Sequence, residues 1–157
     1  MKVQACMNPE FKTIHVDESL QHAAQIMWES DCGALPVLNH EKQVIGMITD
    51  RDIAMAGFIQ GLPLRDIQVK DVMSKSLISI APEQDLAKAE HLMQTNQLRR
   101  LPVINNKKHL VGILSLNDIA SAYKRDNGKQ ISAHEVADTL ASICTHRTLV
   151  KTAAVAA

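Results

Sequence analysis

Residues 3–54 align with residues 69–120 without a gap, at a constant offset of 66, and fifteen of the 52 aligned pairs are identical. The shared positions include Met7/Met73, Leu35-Pro36-Val37/Leu101-Pro102-Val103, Gly46/Gly112 and Asp52-Ile53-Ala54/Asp118-Ile119-Ala120. A duplicated supersecondary unit constrains a fold more than local propensity does. Its copies pack on each other to bury a common core, and a site formed by one copy has a counterpart in the other. The 157 residues make about one compact domain, so the copies are expected to be halves of a single unit.

Composition narrows the function. Lys plus Arg and Asp plus Glu both number 17, which removes the positive field that would draw the chain to nucleic acid. No stretch approaches the roughly 20 apolar residues of a membrane helix, and the amino-terminal residues lack a signal-peptide pattern, so the expected location is cytoplasmic, away from membranes. Aromatic residues are only 3% of the chain, leaving the core to Ile, Leu, Val, Met and Ala. Cys6, Cys32 and Cys144 are an odd, widely spaced set and read as reduced thiols.

Each copy carries the same order of local signals. After a turn at 3–7, residues 12–16 alternate polar and apolar side chains as a half-buried strand does. Asp17 or Ser19 then caps a helix with Leu20, Ala23, Ala24 and Met27 on one stripe. The second copy places Pro82 early in the matching helix, with Leu86, Ala89 and Met93 buried. Two short strands follow at 34–38 and 44–49 around a polar turn, and another helix opens near Asp50. The unit is β-α-β-β-α. Residues 55–69 link the copies, and Phe58, Ile59, Leu62 and Leu64 predict that this link packs. Ser132 to Glu135 is a capping-box pattern opening a helix with Val136, Leu140 and Ile143 on its apolar face, and residues 151–157 are expected to fray.

The stretch richest in chemistry is Gly46-Met47-Ile48-Thr49-Asp50-Arg51-Asp52, matched by Gly112-Ile113-Leu114-Ser115-Leu116-Asn117-Asp118. Thr49-x-x-Asp52 and Ser115-x-x-Asp118 both resemble a capping box, worth roughly 1 kcal/mol to a helix with no further role. A helix amino terminus also presents unpaired N–H groups and partial positive charge that suit a phosphate. A hydroxyl at the cap can donate to a phosphate oxygen, while an ionised carboxylate one turn on can only accept, which suits the diol of a ribose.

The order strand, helix, Gly-Ala-Leu-Pro-Val or Arg-Arg-Leu-Pro-Val, polar turn and Gly-h-h-Thr/Ser-x-x-Asp, given twice, resembles a tandem cystathionine-β-synthase (CBS) domain pair of the small stand-alone bacterial type. The resemblance covers residues 3–123. It implies an α/β fold of two β-α-β-β-α CBS units packed through their sheets with pseudo-twofold symmetry: residues 1–60 and 61–125, with a carboxy-terminal helix and tail over 126–157. It also implies clefts between the units that hold an adenosine nucleotide (AMP, ADP, ATP or S-adenosylmethionine), and a homodimer.

Carried over residue by residue, the resemblance assigns one nucleotide site to Thr13, Ile14, Ala34, Leu35, Pro36, Thr49, Arg51 and Asp52. It assigns the other to Ser79, Ile80, Arg100, Leu101, Pro102, Ser115, Asn117 and Asp118. Arg51 can pair with a phosphate and favours the first cleft; the second depends on Arg99 or Arg100 reaching inward. The expected protein is a non-catalytic, energy-sensing regulatory module that requires no metal and signals to an effector protein.

Two alternatives remain open at this point. One is a dimerisation or adaptor module with no ligand, whose Thr/Ser-x-x-Asp patterns are only caps. The other is a metal- or thiol-linked stress sensor using Cys144, His146 and Cys32, with His22 as a further candidate ligand; no histidine pair has zinc-finger or close helical spacing. His15, His22 and Asp17 lack the partners an acid–base catalyst needs. Trp28 aligns with Gln94, so it stands where the other copy tolerates a polar residue, as an interface anchor would.

Overall fold

The computed structural model describes residues 1–145. After a 3-10 turn at Val3–Ala5, the first copy runs β1 (Ile14–His15), α1 (Leu20–Glu29), β2 (Ala34–Leu38), β3 (Val44–Thr49) and α2 (Asp50–Gln60). A 3-10 turn at Leu64–Asp66 and the short α3 (Val69–Val72) lead into the second copy: α4 (Leu86–Asn96), β4 (Arg100–Ile104), β5 (Leu110–Ser115) and α5 (Leu116–Asp126). A last helix, α6, spans Ala133–Cys144. Among the described residues, no helix is long and apolar enough to cross a membrane.

Local chemistry accounts for the elements. Ser19 caps α1 by accepting from the His22 N–H at 3.2 Å, and Leu20, Ala23 and Met27 turn their stripe inward. The β3 strand alternates buried and half-buried residues, as a one-faced strand does, whereas four of the five β2 residues are buried. β2 lies between β1, parallel to it, and β3, antiparallel to it. The second copy repeats the β4–β5 hairpin with the same irregularity, at Val103/Ile104 where the first has it at Val37/Leu38. Left-handed backbone recurs at equivalent positions, Asp31/Gln97, Lys42/Lys108 and Gly61/Asn127.

Several expectations are corrected. The strand over 12–16 contracts to Ile14–His15, and its counterpart to the single bridge between Ile80 and Val103. Pro82 precedes α4 by four residues instead of opening it, because its carbonyl is held by the Gln4 N–H at 3.0 Å. The link between copies is shorter than expected, since α2 continues to Gln60 and ends on Gly61 at φ 63°. Phe58, Ile59 and Leu62 are exposed, and of the four apolar positions Leu64 packs on the core. On α6 the inward residues are Val136, Thr139 and Ile143, while Leu140 faces outward. Thr139 is buried because its hydroxyl accepts from Gln94 of α4 at 2.9 Å.

The copies exchange their leading segments. The Val3 N–H bonds the Gln84 carbonyl and the Leu86 N–H bonds that of Met1, while Val69 and Lys70 donate to Glu18 and Val16. Asn8 pairs antiparallel with Ile113, and its counterpart Ser74 pairs with Met47. Lys2 bridges to Asp85 exactly as its equivalent Gln68 does to Ser19; the Lys2 ammonium, 2.8 Å from the Asp85 carboxylate, lowers that carboxyl's pKa. Val3 is wholly buried in the second copy's core, and Val69 in the first's.

The repeated glycines are explained by this exchange. A Cβ on Gly46 would stand 2.2 Å from the Ser74 carbonyl oxygen, and one on Gly112 would stand 2.7 Å from Met7 Sδ and 3.0 Å from the Asn8 carbonyl oxygen. Each glycine lets the other copy's strand approach. The methionine thioether can move aside, but a backbone carbonyl as close as that of Ser74 to Gly46 cannot. Gly46→Ala is therefore expected to cost about 3 kcal/mol or more and Gly112→Ala about 1–2 kcal/mol; urea denaturation of the two variants measures the difference, and equal costs would contradict the explanation.

Helix α6 lies across α4 and α5 and covers Glu90, which is buried, its Oε1 without a hydrogen-bond partner among the described residues. Burial, with a smaller contribution from Glu135, raises the Glu90 pKa. The folded state thus binds a proton that the unfolded state releases, and this group's contribution to stability falls as pH rises above the unfolded carboxyl value of about 4.3. Glu90→Gln is expected to raise the melting temperature at pH 7 and leave it unchanged at pH 4, a comparison two thermal melts provide.

Candidate functional site

The strands that carry the expected site residues end beside one another. Ala34 is the register partner of Thr49, and Pro36 that of Met47, while Ile14 lies against Val37. In the second copy Arg100 pairs with Ser115 and Pro102 with Ile113, and the Ile80 N–H donates to the Pro102 carbonyl at 3.1 Å. Strand pairing therefore brings Ile14, Ala34, Pro36 and Thr49 together in one copy, and Ile80, Arg100, Pro102 and Ser115 in the other. Leu35 and Leu101 are wholly buried in the two cores, which leaves only their backbone to face a ligand. Thr13 is half-buried beside Ile14, Ser79 is exposed beside Ile80, and Arg51 and Asn117 are exposed on the first turns of α2 and α5.

Both Thr/Ser-x-x-Asp patterns are complete capping boxes. Asp52 Oδ2 accepts from the Thr49 N–H at 2.9 Å and the Thr49 hydroxyl at 2.7 Å, and the Asp52 N–H donates to Thr49 Oγ1 at 3.1 Å. Asp118 Oδ2 accepts from the Ser115 N–H at 2.7 Å and from its hydroxyl, and the Asp118 N–H donates back at 3.2 Å. One oxygen of each carboxylate does this work. The other, Oδ1, has no hydrogen-bond partner among the described residues in either copy.

The two helix termini differ in their second amide. At α2 the Asp50 N–H donates to the Gly33 carbonyl at 3.2 Å, and the Asp50 carboxylate accepts from the Arg51 N–H at 2.7 Å. A carboxylate of the chain thus occupies the place an anion would take. At α5 the Leu116 N–H donates to the Arg99 carbonyl at 3.0 Å, but Leu116 has no polar side chain, and the Asn117 N–H has no partner among the described residues. The expected advantage of the Arg51-bearing cleft is offset by the neighbouring acid, which both fills the amide and repels a phosphate.

Arg100 is half-buried, and its guanidinium crosses to the first copy, with Nη2 3.5 Å from where a Cβ on Gly33 would lie. Asp50 Oδ2 is 2.9 Å from the same point. In sequence the copies differ here, Gly33-Ala34 standing against Arg99-Arg100 and Asp50-Arg51 against Leu116-Asn117; the meeting of Gly33, Asp50 and Arg100 was not legible from it. These are changes on facing sides of one contact.

Two cavities lie elsewhere on the surface. One of ≈ 420 Å³ is lined by Met1, Lys2, Gln4, Ala122 and Arg125, and another of ≈ 190 Å³ by Glu90, His91, Gln94 and Glu135; neither includes an expected nucleotide residue. Cys6 is buried, which raises its thiol pKa, while Cys32 is half-buried and Cys144 exposed. His146 lies outside the described residues. Among the described residues, Cys32, Cys144 and His22 do not gather as metal ligands; His15, Asp17 and His40 do.

Two copies of one β-α-β-β-α unit, exchanging leading segments and each ending a hairpin in a capped helix, define a tandem domain pair. The CBS-domain family model matches residues 3–58 and 69–125, and the chain belongs to that family. It is 40% identical over 121 residues to the CBS domain-containing protein YhcV of Bacillus subtilis, covering 75% of this chain and 82% of that one.

Among solved structures, Hypoxic Response Protein I with two coordinated zinc ions superposes with a TM-score of 0.70 at 31% identity, covering 77% of this chain and 98% of that one. The CBS domain pair of MJ0100, in complex with 5-methylthioadenosine and S-adenosylmethionine, gives a TM-score of 0.72 at 21% identity, with 80% and 98% covered. CBSX2 in complex with AMP gives 0.69 at 22% identity over the same shares. At these last two identities the likeness is one of fold.

Proposed function

We propose that the chain is a non-catalytic regulatory module that binds an adenosine nucleotide in the clefts between its two CBS units. The observation that carries the reading is the pair of cap carboxylates, each holding its helix with one oxygen and leaving the other without a partner among the described residues. An ionised carboxylate accepts from a ribose diol, and the open Asn117 amide at the start of α5 suits a phosphate. The fold shared with proteins whose structures hold AMP or S-adenosylmethionine supports the same ligand class. The start of α5, with its open Asn117 amide, is the better phosphate site, with Asp118 beside Ser115 taking the ribose, and Thr49, Arg51 and Asp52 form the site that Asp50 opposes. AMP, ADP, ATP and S-adenosylmethionine all present the required ribose. Signalling to an effector protein in the cytoplasm then follows from any difference in ligand affinity between two packings of the pair.

Calorimetric titration with AMP, ATP and S-adenosylmethionine is expected to give saturable heat with at least one. Removing the charge from a hydrogen-bonded carboxylate costs about 1.5–3 kcal/mol, so Asp118→Asn and Asp52→Asn are expected to weaken their sites about 10- to 100-fold. Absence of heat with all three ligands would refute the reading, and binding unchanged in both variants would refute the residue assignment.

A homodimer completes the proposal. Trp28, Phe58 and Ile59 are 87%, 81% and 73% exposed on α1 and α2. The equivalent positions in the second copy are Gln94, Lys124 and Arg125, and there α6 lies over α4 and α5, with Gln94 bonded to Thr139. One copy thus has its outer face covered by the chain itself while the other presents bare apolar side chains, a face suited to its own equivalent in a second chain. Light scattering is expected to show a dimer that Phe58→Glu converts to a monomer; a monomeric wild type would refute the arrangement.

A further inference from the structure

We propose that His15, Asp17 and His40 form a binding site for one divalent transition-metal ion, zinc or cobalt in chemical class. The site shares no residue with the proposed nucleotide sites and forms at the end of the sheet. His15 ends β1 and is the register partner of Leu38 at the end of β2, so His40, two residues further on, is carried back over the edge strand. Asp17 follows β1 by two residues. The ligating atoms of all three residues lie within 4.8 Å of one another.

The distances match what such an ion requires. Metal–nitrogen and metal–oxygen bonds of about 2.0–2.2 Å in a tetrahedral site put ligand atoms about 3.4 Å apart. His40 Nε2 is 3.1 Å and His15 Nδ1 3.7 Å from the same oxygen, Asp17 Oδ2. The two imidazoles stand with ring centroids 4.5 Å apart and tilted at 58°, so that they converge from different directions. The His15 and His40 ligand atoms are no more than 4.8 Å apart, so closing the third separation needs a shift of at most about 1.4 Å, within rotamer reach.

His15 Nδ1 and His40 Nε2 converge on the same carboxylate oxygen, Asp17 Oδ2. Lys70 Nζ, arriving on the exchanged segment of the second copy, holds the other oxygen, Asp17 Oδ1, at 3.3 Å and orients the carboxylate. Two neutral imidazoles and one carboxylate, with a fourth position open to water, are a donor set for zinc or cobalt. The equivalent residues of the second copy are Ala81, Glu83 and Asn106, so the site occurs once per chain. Occupied, it would pin the β2–β3 turn to the two-residue strand β1.

The test is titration of the untagged full-length protein with Co²⁺, followed by displacement with Zn²⁺. One equivalent per chain and the intense visible bands of four-coordinate cobalt are expected. His40→Ala lies in an exposed turn and leaves the fold intact; it and His15→Ala are expected to weaken binding at least about tenfold. His109→Ala, in the corresponding turn of the second copy, is expected to bind as wild type does. The proposal is overturned if wild type takes up less than half an equivalent, if His40→Ala titrates like wild type, or if Cys144→Ser abolishes the cobalt bands.

Discussion

The reciprocal exchange of leading segments holds the rest of the structure in place. Asn8 pairs with Ile113 and Ser74 with Met47, while Val3 and Val69 are buried in the core of the opposite copy. Neither copy closes its core alone. A 52-residue unit with few aromatics buries too little apolar surface for independent stability, and exchanging an apolar segment adds burial to both halves at once. The exchange also fixes the pseudo-twofold relation, since every crossing bridge in one copy has its equivalent in the other. Gly46 and Gly112 are the local condition for it.

The same geometry sets the terms of the proposed site. Each hairpin returns to a helix whose cap is also the polar feature nearest the strand ends, so folding and ligand binding draw on the same side chains. The caps satisfy themselves with one carboxylate oxygen, which is why the helices form without ligand and why an acceptor remains. Charge divides the two termini. Asp50 fills the second amide of α2 with its own carboxylate, whereas Leu116 leaves that of α5 open. Arg100, reaching over Gly33 toward Asp50, carries the asymmetry across the axis.

Much of this was legible in the residues. The hairpin strands, the openings of α1, α2, α5 and α6, and the capping boxes follow from alternation and from hydroxyl–acid spacing, which are local signals. The exchange was not legible, because Val3 and Val69 look like ordinary apolar positions until their cores are known. Pro82 was misplaced for the same reason: its carbonyl serves a segment nearly eighty residues away. Thr139 hid in a polar identity that only its contact with Gln94 explains. The group of His15, Asp17 and His40 lacks any motif spacing, since parallel pairing of β1 with β2 creates it. In the candidate site, Thr49, Asp52, Ser115 and Asp118 could be named from spacing, but the role of Asp50 depends on where its side chain turns.

The central claim is that adenosine nucleotides bind in the clefts between the copies, at the cap of each. Amide chemical-shift mapping of the isotopically labelled protein during titration with AMP tests it most directly. The account predicts saturable shifts centred on Ser115, Asn117 and Asp118, with weaker ones at Thr49 and Asp52 and at Ala34 and Arg100 beside them. Shifts confined to the cavity around Met1 and Arg125, or no shifts at saturating AMP, would contradict it.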